Sequence, residues 1–220
     1  MPKAFTEHEK ELIAGRLLEA GERQFSAYGL HKTNVEELAR AAGISKGSFY
    51  LFYPSKEALF MDVVERAEKR FRQQVLAALD RPGPSPRLRL LAALKKAFTL
   101  WKEIPVLQFF TSREYELLKR RIPPEIVQEH LASDQAFVDE LVARCHKAGI
   151  PIQASSQQIA ALLHALFLVS LHEDDFGPGS LAIASDLLLE LTAAFCLGQV
   201  PMPAASPAVP LAGPEYGARK

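Results

Sequence analysis

The stretch TNVEELARAAGISKGSFYLFYPSKEALF, residues 33–60, decides the fold. Glu36 follows Thr33 at the third position, and Glu37 follows Asn34, so either polar residue can cap a helix N-terminus. Val35, Leu38, Ala39 and Ala42 then recur along one helical face, and Gly43 stops the run. Ser45 opens a second, short helix, expected over 46–53. Phe49 and Tyr53, four apart, anchor it inward, while Ser45, Lys46, Gly47 and Ser48 put small and polar groups on the outside. Pro54 interrupts, and Ser55 caps a long helix beginning at Lys56. Two short helices joined by a tight glycine-containing turn form a helix-turn-helix.

The outward residues suit a nucleic acid. Gly47 allows close approach to a base edge or a phosphate. Ser48 and Tyr50 carry hydroxyls for phosphate oxygens, and Lys46 can reach a guanine edge or a phosphate. Lys56 is unfavourable in a first helical turn, where the helix dipole prefers negative charge, unless a phosphate docks there. Singly these signals are weak: an isolated lysine is ordinarily solvated, and a lone tyrosine ordinarily packs. The combination of tight turn, tiny outward residues, aromatic anchors and lysine carries the reading.

Outward from this stretch the chain reads as helix after helix, and no run alternates at period two. Thr6 with Glu9 forms a capping box, and Ile13, Leu17, Gly21 and Phe25 follow at helical spacing to an expected end at Tyr28-Gly29. Gly21 weakens that helix or permits a close crossing. The long helix runs to about residue 79, with Leu59, Val63, Ala67, Phe71 and Val75 inward. RPGPSP, 81–86, is a break. Further helices are expected over 88–101, from Pro105 to about Tyr115, from Pro123-Pro124 to about Ala148-Gly149, from Ser155 or Ser156 to about 172, and over 181–197 after the FGPGS turn at 176–180. The expected fold is all-α with about nine helices: a three-helix helix-turn-helix domain over 1–54, a helical domain over 55–200, and a Pro/Ala-rich tail over 201–220 with little to pack.

Composition narrows the function classes. The 220 residues are 48% hydrophobic, which argues for a folded chain, and the 26 basic and 26 acidic side chains cancel. The cancellation conceals a gradient. Residues 61–130 hold 14 basic and 9 acidic groups, residues 131–220 hold 4 and 9, and the window 39–56 has Arg40, Lys46 and Lys56 with no acid. No apolar run is long enough to span a membrane, and the N-terminus lacks a signal-peptide core, so a cytoplasmic chain without a membrane partner is expected. Cys145 and Cys196 are too few for a disulfide scaffold or a Cys-rich zinc site. Cys145 and His146 are adjacent and point apart on a helix, and Glu173, Asp174 and Asp175 lack calcium-loop spacing. With no phosphate-binding glycine loop, HExxH or nucleophile elbow, no metal, cofactor or catalytic residue is expected.

Residues 17–60 resemble the DNA-binding domain of the TetR/AcrR family of bacterial transcriptional regulators. The resemblance lies in LLEAG…F…YG, the Thr33-Asn34 pair, and LARAAGISKGSFYLFYPSKEAL set against IAxxAGVSxGxxYxxFxxKxxL. It covers about 45 residues; the rest of the chain fits in helix count. Gly21 stands where the family commonly has alanine, and Tyr53 where phenylalanine is common, so the Tyr53 hydroxyl needs a partner.

The resemblance implies that Lys46, Gly47 and Ser48 approach bases or adjacent phosphates. It implies phosphate clamping by Tyr50 and Lys56 and backbone contacts at Thr33. Leu51 and Phe52 would lie near the groove, with Phe52 against a thymine methyl. One reading head spans few base pairs, so a palindromic duplex calls for a homodimer. The helices over 155–172 and 181–197 are apolar beyond one stripe, which makes Ile159, Leu162, Leu166, Leu187, Leu191 and Phe195 the interface candidates. By the same resemblance the larger domain senses a small, mostly apolar effector, an acyl-CoA being one form. Its candidate contacts are Phe98, Trp101, Gln108, Phe110, Arg113, Tyr115, Phe137, His164 and Phe167; for any single aromatic, plain core packing competes. Release of operator on effector binding, hence repression, is the expected behaviour. The competing reading is a helical bundle that bridges proteins and has kept the fold alone.

Overall fold

The computed structural model describes residues 5–108, 124–171 and 179–200. Among them the secondary structure is entirely helical: α1 (Glu7–Lys32), α2 (Val35–Ala41), α3 (Lys46–Phe49), α4 (Lys56–Leu79), α5 (Pro86–Glu103), α6 (Pro105–Gln108), α7 (Pro124–Lys147), α8 (Ser156–Ser170) and α9 (Ser180–Cys196). Most of the segment expected after Pro105, the acidic Glu173–Asp175 run and the tail over 201–220 lie outside the described residues.

The starts follow local chemistry. Side-chain oxygens of Thr6, Ser45, Ser55, Ser85 and Ser155 each accept an amide hydrogen bond three residues on. Thr6 with Glu9 and Ser155 with Gln158 complete reciprocal capping boxes. At α2 the choice falls on Asn34, whose Oδ1 accepts from the Glu36 amide at 2.9 Å. Two ends differ from expectation. Past a break at Gly29 (φ 74°, ψ 171°), α1 resumes to Lys32. The second expected helix shrinks to Lys46–Phe49, because Tyr50 turns the chain and the next residues close as single turns.

Two apolar cores form, and α4 threads both. The first joins Leu17, Phe25, Leu38, Phe49 and the Leu59–Ala67 part of α4 with Trp101, Val106 and Leu107. The second joins Val75, Leu76 and Leu79 with α5, α7, α8 and α9, and it takes in Cys145 and Cys196. Burial pushes those thiols up to about 11 and about 12, so both stay protonated and inert near neutral pH. Gly21 sits at the α1–α4 crossing. A Cβ there would lie 3.0 Å from Val63 Cγ2 and 3.2 Å from Phe25 Cε2, so the glycine permits the close approach. No described helix is long and apolar enough to cross a membrane.

Candidate nucleic-acid interface

The reading head is built on the α2 terminus. The Ile44 amide donates to Ala39 O at 3.0 Å and the Gly43 amide to Arg40 O at 3.1 Å. This doubled closure needs a left-handed residue, and Gly43 supplies it at φ 77°. The chain then leaves α2 sharply, and Ser45 starts α3 at once. Phe49 is fully buried and fixes α3 against the first core, with the Tyr50 ring edge-on to it at 5.4 Å. Tyr53 is buried behind Phe49. Its phenol is pushed well above the ordinary range, first by burial and then by Asp62, whose carboxylate accepts its hydrogen bond. Asp62 is thus the partner that the Tyr53 hydroxyl required.

On the outer side, Ser45, Lys46, Gly47, Tyr50 and Leu51 are exposed and Ser48 half-buried. Ser45 Oγ accepts from the Ser48 amide at 3.1 Å and lies 2.9 Å from Ser48 Oγ, which leaves the pair a shared hydroxyl edge facing solvent. A Cβ on Gly47 would meet only Ser45 Oγ, at 3.8 Å, so the surface there is open. Arg16, exposed on α1, reaches over the turn: its Nη1 lies 3.8 Å from where a Gly43 Cβ would stand. Residue patterning missed Arg16, because it is separated in sequence from the head; the signal was its outward position beside buried Leu17.

Three residues expected on this surface stand behind it. Thr33 is 3% exposed, and its hydroxyl donates to Gly29 O at 2.7 Å, bridging the break in α1. Phe52 is half-buried, its ring 5.9 Å from that of Phe5. The Lys56 ammonium donates to Leu30 O at 2.8 Å, His31 O at 3.1 Å and Thr33 O at 2.9 Å. Its three hydrogens satisfy carbonyls that the end of α1 leaves without helical partners.

The family model for bacterial regulatory proteins of the tetR family matches residues 17–63, the segment that builds this head. Over this segment the chain is similar to the TetR family of bacterial transcriptional regulators. Among curated relatives, the HTH-type transcriptional regulator YdgC of Bacillus subtilis is 29% identical over 54% of this chain and 64% of its own. RutR of Escherichia coli is 28% identical over 74% of each chain. The chain covers 64% and 52% of the lengths of the Bacillus and Mycobacterium tuberculosis relatives, respectively. FadR from Bacillus subtilis, solved in complex with stearoyl-CoA, shares the fold at a TM-score of 0.55 and 18% identity, covering 82% of this chain and 97% of that one.

Among the described residues, the expected effector contacts fall into separate groups. Trp101 is buried and stacked on Phe167 at 4.5 Å and 11°, and its Nε1 donates to Ser170 Oγ at 3.2 Å. Gln108 Nε2 donates to Trp101 O at 3.1 Å. Phe98 lines the second core. Phe137 packs against the same core, 6.2 Å from Phe71, with the Arg72 guanidinium over its ring at 5.5 Å. His164 is exposed, on the outer face of α8. Phe110, Arg113 and Tyr115 lie outside the described residues. A cleft of about 450 Å³ opens between α1, α4 and the α5–α6 corner; Glu19, Glu22, Arg66, Arg70 and Glu103 make it charged, unlike an apolar ligand site.

The expected interface residues separate as well. Ile159 and Leu166 are buried within the chain's own second core, and Phe195 is half-buried. Leu162, Leu187 and Leu191 are exposed, joined by Ile183 at 66% and Leu188 at 38%. Ile183, Leu187 and Leu191 form an i, i+4 stripe along α9. A helix apolar beyond one stripe gives no clue from sequence as to which side its own domain takes.

Proposed function

We propose that this chain is a homodimeric repressor that grips a palindromic DNA operator with one α3 head per subunit and is released by a small, mostly apolar effector. One observation carries the DNA reading. A tightly anchored head presents Ser45, Lys46, Gly47, Ser48, Tyr50 and Leu51 to solvent, with no carboxylate from 39 to 56. Phosphate oxygens accept from the hydroxyls and Lys46, Arg16 adds charge at the rim, and the Gly47 opening admits a base edge. The exposed α9 stripe supports the dimer, since a monomer has no use for so continuous an apolar face. Support for coupling comes from α6: Val106 and Leu107 sit in the core of the reading domain, so a shift of the sensing helices is transmitted to the head. The stearoyl-CoA held by Bacillus FadR supports an effector with a long apolar part. Such a protein works beside the chromosome, in the cytoplasm.

Selection of preferred duplexes from random DNA tests the reading. The expected product is a two-fold symmetric site with half-sites about one helical turn apart. Binding no tighter than to unselected DNA would refute it.

A further inference from the structure

We infer that Leu51 reads the 5-methyl group of a thymine in the major groove. The inference rests on the operator-binding function proposed above and names the chemical feature that the head selects. Leu51 is 76% exposed, the highest value among large apolar side chains of the described residues. Its amide donates to Ser48 O at 3.1 Å, which closes the turn after α3 and holds the backbone in place. Leu51 lies in the turn that follows α3 and, like Gly47, is exposed, while Phe49 and Tyr53 turn into the core. Gly47 has no side chain and open space above it, so nothing rises beside Leu51 to shield it.

The surroundings limit what an exposed leucine can meet there. From 39 to 56 the exposed charged groups are Arg40 and Lys46, both cationic, on a surface otherwise of small and hydroxyl residues. That charge suits a polyanion, and in the major groove the apolar feature of a base pair is the thymine methyl. Phe52, from which the contact was expected, is packed against Phe5 and the first core. It cannot reach a base without opening that packing. Leu51 needs no rearrangement.

The test removes the methyl and nothing else. In the selected duplex each thymine is replaced in turn by deoxyuridine, and affinities are measured for the parent and for Leu51→Ala. For the parent, one symmetry-related thymine should show a loss of about fourfold per half-site, the value of roughly one buried methyl. Leu51→Ala should bind the thymine duplex more weakly, with no further loss on deoxyuridine substitution at that position. Its melting should match the parent's, because the side chain is solvent-exposed. An operator indifferent to every substitution, or an equal loss in the variant, overturns the assignment to Leu51 and leaves operator binding standing. Failure to select any duplex overturns operator binding itself, and the role of Leu51 with it.

Discussion

Glu68 lies in the middle of α4 with its side chain 15% exposed and one oxygen 3.2 Å from Arg72 Nη2. Burial pushes its carboxyl up to about 8; nearby Asp134 and Glu65 add to the shift, and the Arg72 charge opposes it without cancelling it. The folded state therefore keeps a proton that the unfolded chain releases near pH 4.5. Between pH 4.5 and 8 the native state binds more protons, so this residue's contribution to stability is full below that window and is lost as pH rises through it. Glu68→Gln should remove that dependence. Its stability should vary less with pH than the parent's from pH 5 to 8 and exceed it at pH 8.5, by an amount on the order of 1–2 kcal/mol, read from melting or denaturant curves. Parallel melting curves across that range would show that Glu68 is charged throughout. Arg72, also bound to Ser133 and Asp134 on α7, keeps those contacts in the variant, so the comparison isolates one proton.

Both ends of α4 are tied by cations that cap neighbouring helices. At the start, Lys56 takes three carbonyls from the end of α1. Just past the far end, Arg89 donates to Leu79 O at 2.8 Å and to Ala148 O at 2.7 Å, closing α4 and α7 together. Cations at helix C-termini satisfy orphan carbonyls and oppose the dipole. Lys56→Met keeps the stem and deletes the donors. We expect a loss of about 1–2 kcal/mol of stability and weaker operator binding. The slope of log affinity against log salt should be unchanged. A slope lower by about 0.9 would instead mark a lost phosphate contact. The caps at Thr6, Ser45, Ser55 and Ser155 were legible in the sequence because acceptor and donor lie three residues apart. The Lys56 clamp was not, since its acceptors lie 23 to 26 residues back and the residue type suits a phosphate equally well. The same divide explains the head. Phe49 was readable as an anchor from its spacing to Tyr53, whereas the exchange of roles between Phe52 and Leu51 depends on Phe5, at the other end of the domain.

At the scale of the molecule, the zero net charge is a balance between unlike regions. The acid-free head lies near one end of α4, while Asp134, Asp139, Glu140, Asp186 and Glu190 lie on α7 and α9, the helices of the second core. Low overall charge predicts weak binding to unselected DNA, so useful affinity depends on two heads acting together. On the dimer proposed above, the α9 stripe is the surface on which that pairing would rest. Asp186 and Glu190, beside Leu187 and Leu191, are held to α5 by Lys95 at 2.8 Å and Arg87 at 3.0 Å, which fixes α9 on its own subunit while the leucines face out. Leu187→Glu combined with Leu191→Glu places two charges where a partner's apolar face would sit, at positions 59% and 57% exposed in the single chain. Burying unpaired carboxylates is unfavourable by several kcal/mol, so the variant should sediment as a folded monomer at concentrations where the parent is a dimer. Affinity for the full palindrome should fall by about a hundredfold or more, the usual loss when two linked sites become separate ones. Affinity for an isolated half-site should hold. Persistence of the dimer would locate the pairing surface elsewhere. A monomer that still bound the palindrome at parental strength would mean that one head suffices.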